Sequence, residues 1–363
     1  MLLPKQAKCF ILNEPPVCEV NFDSTSSSAT FKLVSRPLKE LKPGEMLIKT
    51  IYLSNDPTQR AWIQKGLKAD RMYVEPVSQG EVMRLVGLGQ VLALKSKLFS
   101  AGNIVNTSLR WADYCVIPES AVFNKVVDLD VPLPMYLDVL GTTGLTAYFG
   151  LLHVAKLTKN DTIVISAALG ATGSMCVQIA KNAIGCKNVI GISGGPDKCA
   201  YVERLGADTC VDYHKKTFAK DLQAALGDAR FCDVFFDGVG GKALDVTLGV
   251  MRPFGRVVAC GAISGYNDIS KSKVMSWPQI IVKRLDVKGF IVLDFQSQYD
   301  EAIKQILQWV RKGLIKYDKS TYTVVDLSKD SADFAKIPDS WGILFGEKKG
   351  PGKLLTQVAS PKL

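Results

Sequence analysis

Residues 162–184 read TIVISAALGATGSMCVQIAKNAI. The run TIVISA, 162–167, is short and apolar, as a parallel strand must be when helices cover both its faces. It stops at AALGATG, 167–173. Beyond the turn, Met175, Cys176, Ile179, Ala180 and Ala183 fall on one helical face. A strand, a tight small-residue turn and a helix are what a dinucleotide's phosphates require: a backbone that passes close by, then a helix start whose N–H groups and dipole favour negative charge. Gly170 and Gly173 suit the close approach and the helix–strand packing, with Ala168 where a first glycine would stand. The alternative reading, glycines that merely serve a tight turn, stays open at this point.

Outward from this unit the pattern repeats. NVIGIS (188–193), the helix PDKCAYVERLG closed by Gly206, TCVDY (209–213), CDVFFDG (232–238), the helix ALDVTLGVM, GRVVACG (255–261) and KGFIV (288–292) alternate strand with helix. Such alternation predicts an α/β fold with a doubly wound parallel sheet over residues 141–313. Residues 298–313, QYDEAIKQILQWVRKG, read as a long amphipathic helix leaving that sheet. Residues 1–140 have another texture: short β runs such as EMLIKTIYL, VMRLVGLGQVLAL and WADYCVIP, broken by turns. They predict a compact, partly closed β domain to which residues 314–363 return. The segment DSTSSSATF, 23–31, reads as a solvated loop.

A chain of 363 residues fits two domains. With 47% hydrophobic and 22% charged residues it is neither disordered nor fibrous. The net charge of +10 favours anionic partners, a phosphate-bearing cofactor as well as a nucleic acid. Basic residues come only in pairs such as Lys215, Lys216 and Lys348, Lys349, so no nucleic-acid partner is expected. No apolar run is long enough to span a membrane, and none is expected as a partner. Nine scattered cysteines, without C-x-x-C spacing or a leader peptide, point to reduced thiols and a cytoplasmic location. The final Pro361, Lys362, Leu363 differs by one residue from a peroxisomal address and is read as chance.

The end of the second strand selects the nucleotide. NAD sites place an acid there for the ribose hydroxyls. Here Ser193 is followed by two glycines, and Lys198 stands just beyond, suited to a 2′-phosphate; NADPH is the expected cofactor. No metal is expected: the only histidines, His153 and His214, lack cysteine or carboxylate partners at ligand spacing. His153 reads as a satisfied, partly buried side chain and His214 as a surface residue near the cofactor. Metal-free hydride chemistry on a conjugated C=C bond needs a donor to the carbonyl oxygen, where negative charge develops. Tyr266, in CGAISGYN just past a strand's carboxyl end, is the candidate, the alternative being a tyrosine that anchors a loop.

These motifs together resemble a family. GTTGLTAYFGLL (141–152), AALGATG, FDGVGG (236–241), FGRVVACGAISGYN (254–267), GFIVLDFQ (289–296) and YLSNDPTQR (52–60) are similar to the zinc-independent medium-chain dehydrogenase/reductases. Within these they resemble the leukotriene B4 12-hydroxydehydrogenase, prostaglandin reductase and plant alkenal double-bond reductase group. The resemblance spans nearly the whole chain. It implies a GroES-like β-barrel domain plus a Rossmann domain, a homodimer, and NADPH-dependent reduction of α,β-unsaturated aldehydes and ketones. It assigns Ala168, Gly170, Ala171, Thr172 and Gly173 to the pyrophosphate, and Lys198 and Tyr213 to the 2′-phosphate end, where Ser193 is also a cofactor-binding candidate. It assigns Gly238, Cys260, Ile263, Ser264, Tyr266, Phe290, Val292 and Gly350 to the cofactor cleft, with Tyr266 also meeting the substrate oxygen.

The chain departs from that group where Thr58 replaces a tyrosine, Gly238 a frequent asparagine, Leu293 a tyrosine, and Gly350 falls at or near an asparagine. These changes bear on substrate size and favour a small enal or enone over a bulky eicosanoid. Two other functions compete: an NADPH quinone reductase on the same scaffold, and a non-catalytic NADPH-sensing or RNA-binding protein.

Overall fold

The computed structural model describes residues 3–126, 131–346 and 349–361. Lys348 of one basic pair and Lys362 and Leu363 of the final tripeptide lie outside the described residues. The chain divides into two compact units, one of Met1–Leu137, Thr323–Gly350 and Leu354–Leu363, the other of Asp138–Tyr322 and Pro351–Lys353.

The first unit opens with β1 (Gln6–Leu12) and β2 (Phe31–Pro37), paired antiparallel. β3 (Glu45–Asn55), the short helix α1 (Gln59–Trp62), β4 (Arg84–Leu94), β5 (Ile104–Arg110), β6 (Tyr114–Pro118) and β7 (Val122–Lys125) follow. Alternating buried and exposed positions along β1 and β6 show why these runs form half-buried strands.

The second unit begins with α2 (Thr142–Phe149) and then alternates strictly. In order come β8 (Thr162–Ile165), α3 (Ala171–Gln178), β9 (Asn188–Ser193), α4 (Pro196–Arg204), β10 (Thr209–Asp212) and α5 (Phe218–Ala225). β11 (Cys232–Asp237), α6 (Gly241–Val250), β12 (Met251–Ala259), α7 (Pro278–Lys283), β13 (Asp286–Gly289) and α8 (Tyr299–Arg311) complete it. The six strands lie in the order β10-β9-β8-β11-β12-β13, all paired parallel. This is the expected doubly wound Rossmann sheet. Its order reverses between β8 and β11, and ligands of such sheets bind at the carboxyl ends there. All four residues of β8 are buried, and Val164, Ile190, Phe235 and Val257 join Leu248 of α6 in one core.

The chain then returns to the first unit through β14 (Tyr322–Asp326), α9 (Ile337–Gly342) and β15 (Lys353–Gln357). Its seven-stranded sheet runs β14-β15-β3-β4-β5-β7, with β6 on β3, and gives the GroES-like domain. Trp111 and Trp341 meet edge-on at 5.7 Å in its core, beside Phe10 and Phe31.

Three expectations need correction. The second unit runs to Tyr322 rather than 313, because residues 314–322 are tied to it. Lys316 N–H donates to Gln178 Oε1 at 2.7 Å, and the Tyr201 hydroxyl to the Ser320 carbonyl at 2.8 Å. The last strand of the sheet ends at Gly289, not 292, since β12, its partner, ends opposite it at Ala259. The helix read over 174–184 changes character at Ile179, where a π-helical stretch carries it to Ile184.

Candidate functional site

The glycine turn is built by close contacts that only small residues permit. Ala167 takes the left-handed region at φ 48° and sends Ala168 N–H to the Ile192 carbonyl at 3.0 Å. Gly170 caps α3 and supplies no side-chain cap, so the first-turn amides of the helix lack that competitor. A Cβ on Gly173 would stand 2.2 Å from the Ala167 carbonyl oxygen, so a glycine there lets the helix lie against the turn. Gly170, Ala171 and Thr172 are partly accessible. Ala168 is a correction: it is fully buried, so it shapes the turn without offering a surface to phosphate. Gly352 donates its N–H to the Leu169 carbonyl at 2.9 Å. A Cβ there would meet the Thr321 carbonyl at 1.7 Å.

At the end of β9, Ser193 is buried and hydrogen-bonds through its carbonyl to Tyr213 N–H at 3.1 Å. No acid follows it on β9, but Asp212 stands opposite Ser193 on β10. One of its oxygens, Oδ1, accepts from Gly195 N–H at 2.9 Å and His214 N–H at 3.0 Å. Burial pushes this carboxyl up, yet those amides and the His214 and Lys215 side chains outweigh it and hold it below its usual range. Lys198 occupies the first turn of α4, and Tyr213 is exposed with its carbonyl 3.4 Å from Lys242 Nζ.

Asp237, at the end of β11, organises the other half. Its Oδ1 accepts from the Ser166 hydroxyl at 2.8 Å and from Val239 N–H at 2.9 Å; Gly240 N–H lies 3.1 Å from both oxygens. Its carbonyl takes Cys260 N–H at 2.8 Å and Gly261 N–H at 3.1 Å. Ser166 Oγ in turn accepts Gly238 N–H at 2.9 Å. The ends of β8, β11 and β12 are thus joined by one carboxylate and one hydroxyl, neither singled out in the sequence. Burial pushes the Asp237 carboxyl up, against those hydrogen bonds. Nothing lies within 4 Å of a Cβ built on Gly238, so that position opens onto space.

Past β12 the chain makes a 3₁₀ turn, Ile263–Gly265, which Ser264 ties down through Oγ to the Val239 carbonyl at 2.7 Å. Tyr266 follows, partly buried, its N–H on the Ile263 carbonyl at 3.3 Å. Burial, then the Asp237 charge, pushes the Cys260 thiol up to about 12. Phe290 packs over Gly150, whose Cβ would lie 3.0 Å from the Phe290 Cζ, and Val292 is buried, its carbonyl accepting the Tyr299 hydroxyl at 3.0 Å. Gly350 falls in the first unit, where a Cβ would stand 2.9 Å from Thr323 Oγ1. In the same unit the Thr58 and Tyr73 hydroxyls are 2.6 Å apart.

His153 lies at the surface rather than partly buried, set against the rings of Tyr148, Phe149 and Phe295. Among the described residues, no three His, Cys, Asp or Glu side chains are grouped to hold a metal ion. Such a site suits a dinucleotide: an uncapped helix start, glycines held where a Cβ would collide, open space at Gly238, and lysines at one end.

The family described as "Zinc-binding dehydrogenase" matches residues 171–308, and that described as "N-terminal domain of oxidoreductase" matches residues 17–125. A Saccharomyces cerevisiae relative named an uncharacterized membrane protein is 37% identical, covering 93% of this chain and 94% of its own. Prostaglandin reductase 1 of Bos taurus is 33% identical over 91% of this chain and 95% of its own. The 2-alkenal reductase (NADP(+)-dependent) of Nicotiana tabacum is 33% identical over 75% and 78%. The crystal structure of CurA in complex with NADPH from Vibrio vulnificus superposes with a TM-score of 0.83 at 32% identity, over 98% of this chain and 100% of CurA. With both domains matched and relatives above 30% identity along almost its full length, the chain belongs to the medium-chain dehydrogenase/reductase superfamily, in the group of prostaglandin reductase 1, 2-alkenal reductase and CurA.

Proposed function

We propose that the protein is an NADPH-dependent reductase of the C=C bond of small α,β-unsaturated aldehydes and ketones. The observation that carries this reading is Tyr266, just past the carboxyl end of β12 at the rim of the parallel sheet. The NADPH complex of CurA and the NADP-dependence in the name of the tobacco relative support the choice of cofactor.

In this reading Gly170, Ala171 and Thr172 face the pyrophosphate, Gly173 lets the start of α3 come close to it, and Ser193, Lys198 and Tyr213 serve the adenosine end. Gly238, Cys260, Ile263, Ser264, Phe290 and Val292 line the nicotinamide side. The bound cofactor supplies hydride for the substrate β-carbon. The Tyr266 hydroxyl donates a hydrogen bond to the carbonyl oxygen, where charge builds in the transition state. The α-carbon takes its proton from Tyr266 or from water. Asp237 and Ser166 keep the strand ends in register, which holds the Tyr266 turn in place through Ser264. The protonated Cys260 thiol stays unreactive toward an electrophilic enal, because the thiolate is the nucleophile.

A homodimer fits the open edge of the sheet. β13 is an outer strand with all four residues exposed, and Trp277, Ile281 and Val282 around α7 are exposed too. An uncovered strand edge beside apolar side chains is a pairing surface. The nine unpaired cysteines fit a reducing cytoplasm. No helix among the described residues is long and apolar enough to cross a membrane.

The test is NADPH oxidation with 4-hydroxynonenal and 3-penten-2-one beside naphthoquinones, with product analysis. Saturated carbonyl products are expected. Turnover of quinones alone would give the chain to the quinone reductases instead. A salt-sensitive RNA complex without any NADPH oxidation would favour a binding protein.

A further inference from the structure

His214 holds a place at the adenosine end that neither a packing role nor the expected contacts explain. Its imidazole lies against the Gly194 backbone: a Cβ on Gly194 would stand 2.8 Å from Cε1 and 3.1 Å from Nε2. The ring meets Tyr213 edge-on, with centroids 4.3 Å apart. The His214 amide and the Gly195 amide share Asp212 Oδ1, so one carboxylate fixes the histidine to the turn that opens α4 and carries Lys198. A histidine kept for structure is enclosed, with its nitrogens partnered. This side chain is 57% exposed, and its Nδ1 is 3.8 Å from the nearest Asp212 oxygen, too far for a hydrogen bond.

We infer that His214 is a contact for the 2′-phosphate of NADPH, acting beside Lys198, and that its protonation tightens the hold on NADPH but not on NADH. This rests on the NADPH reading above. Asp212 and Tyr213 flank the imidazole, Lys215 acts on the Asp212 carboxylate, Lys242 Nζ lies 3.4 Å from the Tyr213 carbonyl, and Asp221 of α5 lines the same cleft as Asp212 and Lys215; Lys216 follows on the loop, and Asp197 and Lys198 stand in the first turn of α4. The lysines of these segments, Lys198, Lys215, Lys216 and Lys242, outnumber the carboxylates Asp197, Asp212 and Asp221, a balance that attracts a phosphate dianion. Asp212 is held below its usual range and stays ionised. Lysine keeps its charge across neutral pH, whereas histidine changes charge there. Among these side chains His214 is therefore the one that grades discrimination between the two cofactors by pH, beside the second ionisation of the 2′-phosphate itself.

The test is calorimetric titration of the purified protein and of its His214→Asn and His214→Lys variants with NADPH and NADH, at about pH 6 and about pH 8. The ratio of variant to wild-type Kd cancels the ionisation of the 2′-phosphate itself. For His214→Asn and NADPH that ratio is expected to be about fivefold at the lower pH and near one at the higher. NADH should be bound alike by all three proteins, and His214→Lys should hold NADPH firmly at both pH values. A ratio that does not change with pH, or an equal loss for NADH, overturns the assignment and leaves the ring a prop for Gly194 while NADPH binding itself stands. Failure of the wild-type protein to take up NADPH at either pH removes the cofactor reading and this contact with it.

Discussion

Tyr266 and Lys198 divide the proposed work between chemistry and recognition, and each has its own signature. Tyr266→Phe removes a hydroxyl and little else. Turnover of an enone should fall by about tenfold to a hundredfold while the Kd for NADPH barely moves, because the lost donor acts on transition-state charge. Unchanged turnover in a steady-state assay would leave Tyr266 only its place in the loop. Lys198→Ala should weaken NADPH by about tenfold and leave NADH nearly alone, as a charge-assisted contact to one phosphate would; equal losses in fluorescence titrations would reject that contact. Cys260 offers a third check. With its thiol pushed up to about 12 by burial and Asp237, it should resist maleimide at neutral pH, while exposed Cys18 is labelled first. Peptide mass spectrometry reads the order, and early labelling of Cys260 would contradict it. Tyr266 and Lys198 could be named from sequence because position after a strand implies the carboxyl rim. Asp237 and Ser166 escaped, and His214 read only as a surface residue near the cofactor, since a lone acid, serine or histidine acquires meaning only when the sheet brings its partners alongside.

Among the elements, the turn between β8 and α3 and the ends of β11 and β12 act as one unit. Ser166→Ala deletes the donor to Asp237, in a buried setting, and the acceptor for Gly238 N–H, in a partly buried one. Leaving such groups unsatisfied costs about 1–3 kcal/mol; urea denaturation should show that loss, with weaker NADPH binding beside it. Wild-type stability would show that the hub is not structural. Gly173→Ala puts a methyl group 2.2 Å from the Ala167 carbonyl oxygen and 2.8 Å from the Ala168 Cα. Backbone atoms cannot rotate aside, so the helix must shift, at about 1–3 kcal/mol. The strands of this sheet were legible because burial on both faces writes continuous apolar runs: TIVI, NVIGIS and CDVFFD are strands within two residues of where they read. α5 and α7 went unread. FAKDLQAA and PQIIVK are short, and α7 is exposed around Ile281 and Val282, so no periodic buried face announces it. Likewise the return point at Tyr322 depends on hydrogen bonds from Lys316 and to Ser320, which no local pattern encodes.

For the whole molecule, the two-domain plan and the family followed from the order of motifs, while assembly and substrate did not. Light scattering should give about twice the 39.6 kDa chain mass, and a charge introduced at Val287 of β13 should shift the protein toward the monomer; a wild-type monomer would sink the pairing of that edge. Substrate choice is harder to read from Thr58, whose hydroxyl is engaged by Tyr73, because an aromatic ring absent at one position can be supplied by another. Titration calorimetry of the purified chain with NADPH bears on all of this. Saturable binding near one nucleotide per chain, at least about tenfold tighter than NADH, is expected from the glycine turn and the lysines at the end of β9. Absence of saturable heat with NADPH would contradict the site itself and every role assigned around it.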